Sequence, residues 1–144
     1  MDIALNEARA AAERGEVPVG AVVTGKGGAI IAVAGNRTIE MNDPTAHAEV
    51  LAIRHACKVI GSQRLVDFDL YVTLEPCAMC AAAISFARIR RLYFGAVDEK
   101  MGAVENGPRF FNQVTCHHRP EVYSGIGETR ARALLLQFFG ERRT

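Results

Sequence analysis

Two apolar runs, VPVGAVVT and GAIIAVAG, flank the turn-forming GKGG at 25–28, and from Asp43 onward the apolar period lengthens from that of a strand to that of a helix. An opening hairpin followed by helices alternating with single strands leaves few ways to bury the apolar faces. It predicts an α/β fold, a sheet covered by helices on both faces. Residues 2–14 read as an alanine-rich helix ended by Gly15. In DPTAHAEVLAIRHACKVI, Asp43 is a cap and Pro44 a first-turn residue ahead of a long apolar stripe that stops at Gly61. LYVTL (70–74) and RLYFGAV (91–97) are short strands, CAAAISFARI a third helix, and ETRARALLLQFFGERR a terminal amphipathic helix.

The segment 98–120, DEKMGAVENGPRFFNQVTCHHRP, has no clean period and exceeds the usual length of connections in compact domains. It is either a binding loop or a meander with one short helix at Arg109–Asn112. With 144 residues, 49% of them hydrophobic, the chain can close one sizeable core, so residues 1–144 are expected to form a single domain. No window supplies the roughly 18 apolar residues of a membrane span, and MDIALNEARAAAERGE is not a signal peptide. A soluble, cytoplasmic protein is expected. A net charge of +1 excludes the general basic excess of a sequence-blind nucleic-acid binder, so any nucleic acid must be met by local clusters at 87–91, 117–120 and 141–143.

Four cysteines stand at 57, 77, 80 and 116. In a reducing compartment, close pairs are ligands or redox groups before they are disulfides. Cys77 and Cys80 follow a strand and open a helix, where unpaired amides and the helix dipole favour thiolate. A catalytic zinc takes three protein ligands and keeps a position for water, so one more donor is needed. His47, at the start of the preceding helix, is the best candidate. Glu49 lies only two residues further, which on a regular helix would point it away from His47. At a helix end the objection weakens, because a metal beyond the first turn is approached end-on. H-x-E followed by P-C-x-x-C is the signature of zinc deaminases, with the glutamate as non-ligand acid and base. Here it reads His47, Ala48, Glu49, then Pro76, Cys77, Ala78, Met79, Cys80. Two other readings stay open. One is a structural zinc module whose fourth ligand is His117, His118, Cys57 or Cys116; the other is a thioredoxin-like redox pair. His55 and Cys57 are expected to be structural, and Cys116 has no assigned partner.

EVPVGAVV, GNRT, NDPTAHAE, LYVTLEPCAMCAAAISFARIRRLYFGA and the terminal FF with its arginines resemble the bacterial tRNA-specific adenosine deaminases over nearly the whole chain. The resemblance implies a three-layer α/β/α cytidine-deaminase-like fold with a mixed five-stranded sheet, a homodimer and zinc as cofactor. It implies an activity, deamination of adenosine to inosine at the wobble position, and a partner, a tRNA anticodon stem-loop whose flipped base enters the zinc pocket. By the same resemblance Asn36, Ala48, Asp98, Lys100 and His118 are substrate-binding residues, Val19 walls the pocket, and His118 with Arg119 matches a His-Arg sequence of the family. His117 stands where the family has asparagine, and VENGPRFF replaces a Gly-Ser-Leu run. A guanine or cytosine deaminase of the same fold is the rival within the class.

Overall fold

Gly20 has no room for a side chain: a Cβ there would lie 1.9 Å from the carbonyl oxygen of Ala4 and 2.7 Å from the nitrogen of Ala8. This bare backbone lets the first helix lie directly on the sheet. In the computed structural model, which describes residues 1–142, that helix is α1 (Asp2–Glu13), and Gly20 opens β1 (Gly20–Thr24). β1 turns through a short 3-10 segment at Lys26–Gly28 into β2 (Ile30–Gly35), so the GKGG hairpin forms as expected. There follow α2 (Ala48–Ile60), β3 (Asp69–Leu74), α3 (Ala78–Ala87), β4 (Arg91–Ala96), β5 (Glu121–Tyr123) and α4 (Glu128–Arg142).

The five strands form one mixed sheet in the order β2-β1-β3-β4-β5. β1 is antiparallel to β2 and β3, whereas β3, β4 and β5 run parallel. Parallel neighbours need crossovers, which α3 supplies between β3 and β4. Along β3 and β4 the alternate residues Leu70, Val72, Leu92 and Phe94 turn to one face and are buried with Ala52, Ala56, Ala81 and Ile84 of α2 and α3. On the other face Leu5 of α1 and Ala131 of α4 are buried together, and Gly95 lets α4 approach to 3.2 Å from where its Cβ would stand. Three layers result.

β5 was not legible in the apolar period, because only three residues pair and only Val122 among them packs on the core. What fastens it is lateral. Tyr71, Tyr93 and Tyr123 stand on adjacent strands and stack, with ring centroids 4.4 and 5.1 Å apart, while the Arg91 guanidinium meets Glu121 at 2.8 Å. α4 is less amphipathic than its sequence suggested: Ala131 and Phe138 are buried, whereas Leu136 and Phe139 remain exposed. Arg142 covers the Phe138 ring at 3.6 Å; Arg143, in the basic cluster 141–143, lies outside the described residues. Within 98–120 the expected short helix is a 3-10 turn at Phe110–Asn112.

Candidate active site

α2 starts at Ala48, not at Pro44, and the displacement builds the site. The Asp43 carboxylate does not cap a helix; it accepts the Thr45 N–H at 2.8 Å and the Thr45 hydroxyl at 2.7 Å, closing a local turn. The cap comes from the residue just after β2, where Asn36 Oδ1 accepts the Ala48 N–H at 2.8 Å. His47 is therefore the extended residue before the helix, with φ −74° and ψ 150°, and Glu49 lies in its first turn. The two-residue spacing is no obstacle, since His47 is not helical.

Cys77 occupies the corresponding place before α3, also extended, with φ −73° and ψ 176°, and Cys80 follows in the first turn. His47 Nδ1 lies 3.7 Å from Cys77 Sγ and 3.4 Å from Cys80 Sγ. Tetrahedral zinc, with bonds near 2.0 Å to nitrogen and 2.3 Å to sulfur, separates such donors by roughly 3.6 Å, so the trio fits that ion. All three donor atoms lie within 4.8 Å of one another, and no fourth His, Cys, Asp or Glu among the described residues joins them. This disfavours a four-ligand structural centre built with Cys57, Cys116, His117 or His118. An imidazole wedged against both sulfurs is also a feature a redox pair does not require.

The electrostatics separate the roles. The hydrogen bond shared with Cys80, then that with His47, pulls the Cys77 thiol down to about 4. The same contact with Cys77 pushes Cys80 up, because two adjacent thiolates repel unless a cation lies between them. The contact with Cys77 also raises His47, against the effect of burial. Glu49 is 4% exposed, and burial raises its carboxyl to about 7, a value at which it can both take and give a proton near neutrality.

His47, Glu49 and Cys77 face a pocket of about 280 Å³ also lined by Val19, Asn36 and Asp98. Thr38, Glu75 and Met101 also line it; Thr38 and Glu75 stand within the GNRT and LEPC stretches, but none of the three is among the expected site residues. Three expected substrate contacts are not brought to this pocket. Ala48 is fully buried in the main core and its N–H is spent on Asn36. Lys100 lines the adjoining groove instead. His118 Nε2 meets the Ile89 carbonyl at 2.7 Å, ahead of β4, whereas the pocket lies past that strand's far end. Six strand residues at roughly 3.3 Å each separate the two ends. Cys116 does have partners: its thiol donates to the His118 carbonyl at 3.1 Å and lies 3.6 Å from the Ser85 hydroxyl.

Residues 1–96 match the family model of the cytidine and deoxycytidylate deaminase zinc-binding region. The chain is 63% identical to a tRNA-specific adenosine deaminase of Agrobacterium fabrum, over 99% of this chain and 93% of that one. It belongs to the tRNA-specific adenosine deaminase family. A solved structure from a study of A-to-I editing by tRNA deaminases at the wobble position superposes with a TM-score of 0.92 at 63% identity, covering 94% of this chain and 97% of the other. A Bacillus subtilis guanine deaminase is more distant from this family member, with a TM-score of 0.65 at 32% identity over 99% and 90% of the two chains. The three-layer arrangement is thus the cytidine-deaminase-like fold.

One wall of the pocket in this deaminase-family chain depends on a residue outside the motif. Glu16, 1% exposed, accepts the N–H groups of Ile39 and Glu40 at 3.2 and 2.9 Å and the Thr38 hydroxyl at 3.3 Å. Burial opposes its ionisation, but the Glu40 and Ile39 amides outweigh it and hold the carboxyl below its ordinary 4.5. A depressed carboxyl stabilises the fold fully above its ordinary value and loses that contribution as pH falls through the lowered one. Glu16→Gln should therefore cost about 1–3 kcal/mol at neutral pH and show a shallower acid limb when both proteins are melted across the acid range. Parallel acid limbs would mean that Glu16 is not the group that titrates.

Proposed function

We propose that this protein hydrolytically deaminates adenosine to inosine at the wobble position of a tRNA anticodon. The observation that carries the reading is a buried carboxyl, Glu49, poised near neutrality beside a three-donor trio that has no fourth protein donor among the described residues. The 63% identity to a tRNA-specific adenosine deaminase selects the substrate over guanine or cytosine.

On this reading His47, Cys77 and Cys80 hold a zinc ion. Such an ion, when bound, lowers the pKa of its water toward 7 and so supplies a nucleophile at neutral pH. Glu49 takes a proton from the attacking water and delivers it to the ring nitrogen beside the amino-bearing carbon. It then passes the second proton to the amine, which leaves as ammonia. Water is consumed and inosine formed, and the carboxylate ends as it began. Val19 and Asn36 wall the base.

A pocket of about 280 Å³ takes a base and not a helix, which requires the nucleotide to be splayed out. Beside it runs a groove of about 890 Å³ lined by the apolar Val97, Met101, Leu136 and Phe139, by the cations Lys100, Arg132 and Arg142, and by the acids Asp98 and Glu99. Its apolar residues suit stacked bases and its three cations suit phosphates, so a nearly neutral chain can still read an anticodon loop. No helix among the described residues is long and apolar enough to cross a membrane, and the proposed reaction places the protein in the cytoplasm with tRNA. Val59, Ile60 and Phe86, exposed on α2 and α3, are the surface on which two copies would pair. A synthetic anticodon hairpin with adenosine at the wobble position should yield inosine on incubation with zinc-loaded protein. Turnover of free guanine or cytosine with none of the hairpin would reverse the assignment.

A further inference from the structure

Asp98 and Met101 line the pocket, yet the segment 98–106 to which they belong forms neither helix nor strand, so its position needs another cause. Glu75 provides it. Its Oε1 accepts the Asp98 N–H at 2.9 Å and the Asn106 side-chain amide at 2.7 Å. Its Oε2 accepts the N–H groups of Val104, Glu105 and Asn106 at 3.1, 2.9 and 3.1 Å. Five donors on two oxygens leave this carboxylate no capacity to carry protons, although it borders the pocket. The segment is also stitched to the backbone beside the CxxC: Ala103 N–H donates to the Pro76 carbonyl at 2.9 Å, and Gly102 pairs with Cys77. Gly102 is glycine because of this contact, since a Cβ would lie 2.5 Å from the Glu75 carboxyl carbon and 2.4 Å from the Asp98 carbonyl oxygen.

We propose that Glu75 is a positioning residue that sets the Asp98–Met101 wall at a fixed distance from Cys77 and thereby governs how tightly the substrate is held. The inference rests on the deaminase reading above. Glu75 sits two residues before Cys77 on the same chain, so the wall and the candidate metal ligand share one rigid mount. Glutamine keeps the shape but turns an NH₂ group toward at least two N–H donors, which cannot be satisfied. Freed from its acceptor, the wall loses its register with the pocket, and a displacement of that kind costs binding of the correctly placed base.

Two measurements on zinc-loaded protein test this. In hydrogen exchange, the amides of Asp98, Val104, Glu105 and Asn106 should be slow in the unsubstituted protein and at least about tenfold faster in Glu75→Gln, with β3 and α3 unchanged. In steady-state assays on the hairpin, Glu75→Gln should raise KM about tenfold or more while kcat per bound zinc stays within about threefold. A residue that merely supports folding would lower zinc content and kcat together and leave KM alone. Should Glu75→Gln fail to fold, Gly102→Ala strikes the same contact from the opposite side with the carboxylate intact, and the same exchange and KM changes are expected. Unaltered exchange, or an unaltered KM in a variant that turns over, overturns the proposal. The exchange arm needs no turnover, so a chain inactive on RNA defeats the functional reading without touching the clamp.

Discussion

Glu49→Gln should fold, bind zinc in full and deaminate the anticodon hairpin about 10²- to 10⁴-fold more slowly than the unsubstituted protein, the span typical of a lost general acid and base. Retention of zinc follows from geometry, because the Glu49 carboxylate is not among the three atoms that gather within 4.8 Å. Retention of the fold follows from burial: an amide of the same size fills the same space at the head of α2 and carries no charge to desolvate. The buried carboxyl carries a cost of its own. With its folded value pushed by burial to about 7 from an ordinary 4.5, the zinc-free protein binds an extra proton between those limits, so its stability falls as pH rises through them. Glu49→Gln should lack that slope. Measuring zinc by mass spectrometry and inosine by single-turnover assay on the loaded protein, and melting against pH after the metal is stripped, tests all three claims. Near-normal turnover in Glu49→Gln would remove the proton-transfer role outright.

Cys77→Ala should fail in the opposite order, losing the metal first and activity in consequence. Loss of an outer partner of a metal ligand lowers affinity about 10- to 100-fold, and removing one donor of three exceeds that. Zinc should drop from about one per chain to near none after dialysis, with inosine formation below detection. The bare protein should still fold, because Cys77 is only partly buried and the backbone contact of Ala81 N–H with its carbonyl, at 2.8 Å, does not use the side chain. Excess zinc in the assay cannot rescue turnover if the donor is missing, whereas it should rescue protein stripped by a chelator. Stoichiometric zinc in purified Cys77→Ala would show that the trio is not the binding site.

The trio itself was legible in the sequence because its information is local. Cysteine spacing, proline and the strand-to-helix switch all fall within LEPCAMC, and His47 with Glu49 falls within HAE. The hairpin, the helices and four of the strands announced themselves by period. The start of α2 did not, because Asp43 and Pro44 make a good helix opening by local rules, while the true cap, Asn36, is twelve residues upstream on the end of another element. Glu16 and Glu75 were invisible for the same reason. Each spends its carboxylate on backbone amides more than twenty residues away, a partnership no pattern in the neighbouring sequence records. His118 is the reverse case, a motif match whose side chain is tied to the Ile89 carbonyl, ahead of β4 and away from the pocket.

The tyrosine stack across β3, β4 and β5 has a practical side. The chain holds no tryptophan, and those three rings are all the tyrosine it has, so its near-ultraviolet absorption is concentrated in one stack that runs from the central strand to the edge strand β5. Circular dichroism near 280 nm thus becomes an unlabelled gauge of whether the outermost strand is seated.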